Sequence, residues 1–239
     1  MRVEILGVQF DNVTMAEAVE KGKVMLNEAC PHYVVTPNPE IVETCRANAE
    51  AMHAVNGADL ILPDGIGVIY GAKIQKHPLK ERVPGIEFGT AMLKIAAEEG
   101  KSVYLLGAKP GIADMAADNM RVMFPDLRIV GTADGYFKDD AAAAAKIRES
   151  GADLAFVCLG APKQEIFMER YAEATGARLL LGLGGSLDVF AGVAERAPQF
   201  YCEHGLEWLY RLMKNPQRIG RMMKLPLFLL HAMGEKNGR

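Results

Sequence analysis

Short, continuous apolar runs recur along this chain with room for one or more helices between most of them, and that alternation restricts the fold more than any other feature. The runs are Val3–Val8, Tyr33–Val35, Leu60–Leu62, Val103–Leu106, Leu127–Val130, Leu154–Leu159 and Leu179–Leu183. Between them lie segments of helical character: Thr14–Ala29, Glu40–Val55, Ile86–Glu99, Ile112–Phe124, Ala141–Glu149 and Lys163–Thr175. Apolar runs without a polar alternation are strands buried on both faces, which is the condition of a parallel sheet covered by helices. Thr14, with Glu17 three residues on, is a capping box that starts the first helix. The predicted class is α/β, and 239 residues, half of them apolar, can bury a sizeable core without disulfides or structural metal.

Gly, Pro and polar residues gather directly after the strands: Thr36-Pro-Asn-Pro-Glu40, Pro63-Asp-Gly65, Gly107-Ala-Lys-Pro-Gly111, Asp134-Gly-Tyr136, Gly160-Ala-Pro-Lys-Gln-Glu165 and Gly182-Leu-Gly-Gly-Ser-Leu-Asp188. In an open parallel sheet ligands bind outside the carboxyl ends of the strands. Each of these loops opens a helix N-terminus, whose N–H groups and partial positive charge suit a phosphate-bearing ligand. Turn geometry by itself accounts for the glycines and prolines. It accounts less well for Asn38, Asp64, Gln164 and Asp188 recurring along one edge.

Several chemistries are disfavoured. The loop after Val103–Leu106 reads G-x-x-x-G, and Thr132 stands where a dinucleotide site would place an acidic ribose ligand. No P-loop, G-x-S-x-G elbow or H-E-x-x-H motif occurs, and the five histidines are dispersed. A D-x-D motif, which would hold a divalent ion on a nucleotide diphosphate, is missing as well. The four cysteines form no C-x-x-C pair and read as reduced, mostly core thiols. The opening MRVEILGVQF runs into a strand and not into a signal peptide, and no apolar run reaches the ~18 residues a spanning helix needs.

Charge divides the chain in two. Residues 195–239 carry eight Lys or Arg against four Glu, so the net charge of −3 splits into +4 on this end and −7 on the rest. Arg211, Lys214, Arg218 and Arg221 fall at helical spacing on one stripe if a helix runs through Pro216, with Leu212, Met213, Ile219, Met222, Met223 and Leu225 largely off it. Such a basic amphipathic segment suits an anionic membrane surface, and Leu225–Leu230 is long enough to dip into the interface. Packing of the same apolar residues on the body is an equally good reading. Nucleic acid is disfavoured because basic residues are confined to this end and the body is acidic.

The loops as a set resemble the WecG/TagA/CpsF family of glycosyltransferases. The motifs are TPNPE at Thr36–Glu40, LPDGIG at Leu62–Gly67, ERVPG at Glu81–Gly85, LLGAKPG at Leu105–Gly111, LGAPKQE at Leu159–Glu165 and GLGGSLDVFAG at Gly182–Gly192. RAP at Arg196–Pro198 and GLEWLYRL at Gly205–Leu212 complete the series, which covers nearly the whole chain from Val3 to Leu225. The resemblance implies a Rossmann-like catalytic core over 1–194 and a basic amphipathic helical appendage over 195–239. It also implies an inverting, metal-independent transferase without a cofactor, closest to the N-acetylmannosaminyltransferases of wall teichoic acid synthesis. The expected reaction moves N-acetylmannosamine from a UDP-sugar donor to the GlcNAc of an undecaprenyl-diphosphate-linked acceptor in β-1,4 linkage. The expected place is the cytoplasmic side, peripherally on the inner face of the cell membrane, with self-association into a homo-oligomer a further expectation.

Residue roles follow from the same resemblance. Asp64 is the expected general base, Thr36 and Gln164 contact the sugar, and Arg82 stands beside the site. Asn38 and Asp188 hold the nucleotide, Gly107, Gly184 and Gly185 allow the backbone to approach it, and Arg211, Arg218 and Arg221 grip the pyrophosphate. Plain structural roles compete with several of these: Asp64 as the cap of the next helix, Arg82 as a solvated loop charge, and Gln164 as a helix-start residue bonding backbone. Other UDP-hexose or uronic acid donors, another UDP-sugar transformation such as epimerisation, and a non-catalytic nucleotide-sugar sensor on the membrane are the rival readings. A sensor would tolerate loss of Asp64.

Overall fold

The computed structural model describes residues 1–195, 197–198, 200–201, 206–214, 220 and 223–237. Arg196, Cys202, Arg218 and Arg221 lie outside the described residues, and of Arg211 only the backbone is described. The chain opens with an antiparallel hairpin of β1 (Arg2–Ile5) and β2 (Val8–Asp11), in register from Arg2 opposite Asp11 to Ile5 opposite Val8. This corrects the expectation of one strand over Val3–Val8. Leu6 and Gly7 take positive φ (52° and 85°) and turn the chain back on itself.

Six parallel strands follow in the spatial order β4-β3-β8-β7-β5-β6. They are β3 (His32–Val35), β4 (Leu60–Ile61), β5 (Ser102–Gly107), β6 (Arg128–Ala133), β7 (Leu154–Cys158) and β8 (Leu179–Gly182). Helices α1 (Met15–Asn27), α5 (Gly85–Glu98), α6 (Ile112–Met123) and α9 (Ser186–Phe190) cover one face. The other face takes α2 (Pro39–Ala47), α3 (Ala49–Asn56), α4 (Ile66–Ile74), α7 (Asp140–Ser150) and α8 (Lys163–Thr175). Adjacent strand residues serve opposite cores: Val34, Leu105, Phe156 and Leu181 face α1 and α5, while Val35, Leu106, Val157 and Leu180 face α2 and α8. That division is why the strands read as unbroken apolar runs.

The predicted capping box is present, with Glu17 N–H donating to Thr14 Oγ1 and Thr14 N–H donating to Glu17 Oε2. The expected single helix over Glu40–Val55 is two helices. Asn48 leaves helical geometry (φ −141°, ψ 107°) and caps α3, its Oδ1 accepting from Glu50 and Ala51 N–H. Burial pushes the Cys45 and Cys158 thiols up to about 12, as expected of inert core residues, whereas Cys30 is exposed.

Two helices of the C-terminal region are described, α10 (Glu207–Lys214) and α11 (Lys224–Asn237), and Pro226 sits in the first turn of α11, where a missing N–H costs nothing. Part of the Leu225–Leu230 segment packs on the body. Phe228 is fully buried against Gly71 of α4, where a Cβ would stand 2.6 Å from its ring, and Leu225 lies equally close to Gly67. Polar contacts fasten the same helix: Lys224 Nζ donates to Thr44 Oγ1, Gln75 Nε2 donates to Glu235, and His231 Nδ1 meets the Glu43 carboxylate at 3.0 Å. Leu227, Leu230 and Met233 stay exposed on the outer side. No helix among the described residues is long and apolar enough to cross a membrane.

Candidate active site

The carboxyl edge of the sheet gathers the loops that the sequence singled out. Thr36, directly after β3, is buried, and its hydroxyl donates to the Gly182 carbonyl of β8 (2.9 Å). Asn38 caps α2, with Oδ1 accepting from Ile41 N–H at 3.0 Å. One lone pair of the oxygen is thus engaged by the helix, and the amide nitrogen is the side chain's donor toward a ligand.

Asp64 sits beside these residues, its N–H donating to the Pro37 carbonyl (3.2 Å), and Gly65 packs against Pro39 and Asn38. Gly65 has φ 88°, a conformation that glycine adopts without strain, and it occupies the cap position of α4, where no side chain bonds the helix. The cap position of α4 is thus held by Gly65, with Asp64 directly before it.

The Arg82 loop closes the group. Val83 N–H donates to the Pro63 carbonyl (2.9 Å), and Gly85 approaches Thr36 so closely that a Cβ would lie 2.9 Å from Oγ1. Lys80 pairs with Glu17 (2.7 Å) and Glu81 Oε2 accepts from Met15 N–H, so the loop is tied to the start of α1. Arg82 is no solvated charge. Its side chain is 17% exposed and pairs with Glu207 of α10 at 3.5 Å. This contact, which sequence reasoning missed, brings the C-terminal region to the site; its signal was the acid inside the GLEWLYRL motif.

Gln164 is 1% exposed at the start of α8. Its Oε1 accepts from Gly184 N–H (3.0 Å) and its Nε2 donates to Glu165 Oε1 (2.9 Å). The structural reading, backbone bonding near a helix start, is thus realised, and it places Gln164 against the glycine turn after β8 and beside Gly182, its nearest atom 3.3 Å from where a Cβ would stand. Burial raises the pKa of the Glu165 carboxyl, and the bond from Gln164 opposes the rise.

Gly184 has φ 54° and open space where a Cβ would point, while Gly185 lies next to the half-buried Asp188. Gly107 has a different reason to be glycine: at φ 137° a Cβ would stand 2.3 Å from the Cys158 carbonyl oxygen of β7. Thr36, Asn38, Asp64 and Arg82 thus meet at the β3–β4 end of the edge, Gln164, Gly184, Gly185 and Asp188 surround the β7–β8 turns, and Gly107 lies beyond them.

The rest of the edge holds a feature the sequence did not reveal as a site. A cavity of about 620 Å³ lies beyond β5 and β6, lined among others by Gly111, Asp114, Thr132, Asp134, Tyr136 and Lys146. The Asp134-Gly-Tyr136 loop was its signal. Lys163 at the start of α8 reaches over, donating to the Gly135 carbonyl (3.2 Å) with its ammonium 3.9 Å above the Phe137 ring. Helix ends along this edge favour anions. Among the described residues α4, α5, α6, α8 and α9 begin without a side-chain cap bond, whereas α1, α2, α3 and α7 are capped by Thr14, Asn38, Asn48 and Asp139.

Comparison with known proteins agrees with this geometry. The model of the Glycosyl transferase WecG/TagA/CpsF family matches residues 3–239. An N-acetylglucosaminyldiphosphoundecaprenol N-acetyl-beta-D-mannosaminyltransferase of Bacillus spizizenii (strain W23) is 39% identical over 197 residues, 82% of this chain and 77% of the relative. A protein of the same name from Staphylococcus aureus (strain MW2) is 35% identical over 231 residues, 95% of this chain and 91% of the relative. With its helix-covered parallel sheet, its loops in the family's order and this match along nearly its full length, the chain belongs to the WecG/TagA/CpsF family of glycosyltransferases.

Proposed function

We propose that the chain transfers N-acetylmannosamine from UDP-N-acetylmannosamine to the GlcNAc of an undecaprenyl-diphosphate-linked acceptor, forming a β-1,4 linkage with inversion. The observation that carries the reading is the meeting of Asp64, Thr36, Asn38 and Arg82 on neighbouring loops at the β3–β4 end of the carboxyl edge. The names of the relatives from Bacillus spizizenii and Staphylococcus aureus support the donor and acceptor.

The base takes the cavity beyond β5 and β6, the diphosphate lies over the Gly184–Gly185 turn and the uncapped start of α8, and the sugar reaches Thr36, Gln164 and Asp64. Strands stand about 4.8 Å apart, so β3 and β6, four steps removed, are roughly 19 Å apart. An extended nucleotide-sugar, with nucleoside, diphosphate and sugar in series, can cover that distance. Asp188, at the β8 turn, lies under the middle of this path and bonds ribose hydroxyls. Asn38 lies at the far end, so its amide nitrogen meets the sugar or acceptor and not the base.

In the reaction, Asp64 takes the proton of the acceptor hydroxyl. The oxygen forms its bond to the anomeric carbon as the bond to the UDP oxygen breaks on the opposite face. UDP departs with added negative charge, which Arg211, Arg218 and Arg221 of the C-terminal region neutralise in place of a metal ion. The Arg82–Glu207 pair holds that region against the site. Exposed Leu227, Leu230 and Met233 on α11 support a place on the inner membrane surface, where the lipid-linked acceptor resides. Exposed Met115, Val122 and Met123 of α6, beside Val130 of the edge strand β6, support self-association.

The test compares wild type with Asp64→Asn. Unchanged UDP binding with turnover reduced by ~10²–10⁴ supports base catalysis. Near-normal turnover rules out the assigned role.

A further inference from the structure

We propose that the opposite, amino-terminal edge of the sheet carries a zinc-type metal site formed by Glu28, Cys30 and His32, with Asp59 orienting the imidazole. Glu28 and Cys30 come from the turn after α1 and His32 is the first residue of β3, and their donor atoms converge. His32 Nε2 lies 2.6 Å from Glu28 Oε2 and 3.2 Å from Cys30 Sγ, and Cys30 Sγ lies 3.9 Å from Glu28 Oε2. In a tetrahedral zinc shell with ordinary bond lengths, pairs of ligand atoms stand about 3.4–3.6 Å apart. The observed separations bracket that range, so side-chain shifts of under about an ångström would complete the shell.

The other ring nitrogen sets the tautomer. His32 Nδ1 is buried and lies 3.2 Å from Asp59 Oδ1, with no hydrogen bond of good geometry among the described residues. Asp59 is itself held, because its Oδ2 accepts from Tyr33 N–H at 2.9 Å. With a small rotation of the ring Nδ1–H would donate to this carboxylate and leave the Nε2 lone pair for a cation, the arrangement that supports metal-ligating histidines. Nε2 then faces a carboxylate oxygen and a sulfur. A proton on Nε2 serves one of those two partners, whereas a cation among the three serves all of them.

The scaffold is rigid where it matters. His32 N–H donates to the Arg178 carbonyl (2.8 Å), and Pro31, between Cys30 and His32, has a locked φ. Thiolate, imidazole and carboxylate together select zinc-type ions and not magnesium or calcium, which prefer oxygen donors. Three protein ligands leave a fourth position for water. The site lies behind β3, across the sheet from Thr36 at its other end, so it joins α1 to β3 and takes no part in transfer. The linear E-x-C-x-H run matches none of the usual zinc spacings, because its residues span only a turn and the first position of the next strand.

The test uses the full chain stripped of metal by a chelator and titrated with Co²⁺. The expected result is one Co²⁺ per chain with a thiolate-to-cobalt charge-transfer absorption that Zn²⁺ abolishes on displacement. Cys30→Ser and His32→Gln should remove that absorption, Cys202→Ser should retain it, and Asp59→Asn should weaken affinity by ~10–100-fold while keeping it. Absence of the absorption in the wild type, or its survival in Cys30→Ser, overturns the proposal. Glycosyl transfer is not the readout, so neither outcome depends on the proposed reaction.

Discussion

Replacing Glu165 with Gln should remove a pH dependence that the native protein owes to one buried carboxyl group. Glu165 is 1% exposed, its Oε1 accepts from Gln164 Nε2, and its Oε2 has no partner among the described residues. Burial raises its pKa in the folded state above the ordinary value of 4.5, and the bond from Gln164 opposes this only in part. Once the pH exceeds the ordinary value, the unfolded chain has lost this proton while the native chain keeps it. The native state then binds one more proton, and stability falls as pH rises by about 1.4 kcal/mol per unit. The contribution is complete below the unfolded value and is lost as the pH climbs through the raised native one. For a chain of this size that is roughly 3–6 °C of Tm per pH unit. Glu165→Gln keeps an acceptor for Gln164 and cannot titrate. Urea unfolding of both proteins at a series of pH values should show wild-type stability falling relative to the variant with that slope. Parallel curves across the whole range would refute the claim that Glu165 is a protonated, buried group supporting Gln164.

Three further outcomes follow from named contacts. Gly107→Ala places a Cβ 2.3 Å from a backbone oxygen at φ 137°, and should cost more than about 4 kcal/mol or prevent folding, as soluble yield and thermal unfolding will report. Phe228→Ala removes the ring buried over Gly71, a loss of ~3–5 kcal/mol in a fixed core; here it should free α11, seen as faster amide exchange over 224–237 with the sheet still protected. Replacing Arg211, Arg218 and Arg221 together by Ala should reduce acceptor-dependent UDP release by at least tenfold in protein that still unfolds cooperatively on heating. Full activity in that triple variant would remove the arginines from the mechanism. Deletion of the whole C-terminal region is a poorer test, because α11 contributes Phe228 and Ala232 to the core.

The sheet was legible because five of its six strands are buried on both faces and so escape alternation. The hairpin was not. Ile5-Leu6-Gly7-Val8 reads as one apolar run, and only the positive φ of Leu6 and Gly7 breaks it. Asn48 likewise sits inside a helical pattern and splits it, since its side chain caps the next helix better than it continues the last. Strand order was illegible for a different reason: crossover length permits several orders, and β5 lies beside β7 with β6 at the edge. Loop position alone was enough to put Thr36, Asp64 and Gln164 at the carboxyl edge, because each directly follows or lies just beyond a strand that the apolar runs reveal. The alternative of Arg82 as a solvated charge could not be dismissed from the sequence, because its partner, Glu207, lies far along the chain and no local pattern encodes such a pair. The pyrophosphate-gripping roles of Arg218 and Arg221 fall outside the described residues.

The most direct measurement is UDP release from UDP-N-acetylmannosamine in the presence of EDTA, with and without a prenyl-diphosphate-linked GlcNAc acceptor. Release that requires the acceptor and persists in the chelator is the predicted result. Failure to release UDP from this donor, with acceptor-dependent release from another UDP-sugar, would contradict the proposed donor; release abolished by EDTA and restored by a divalent ion would contradict the metal-independent mechanism.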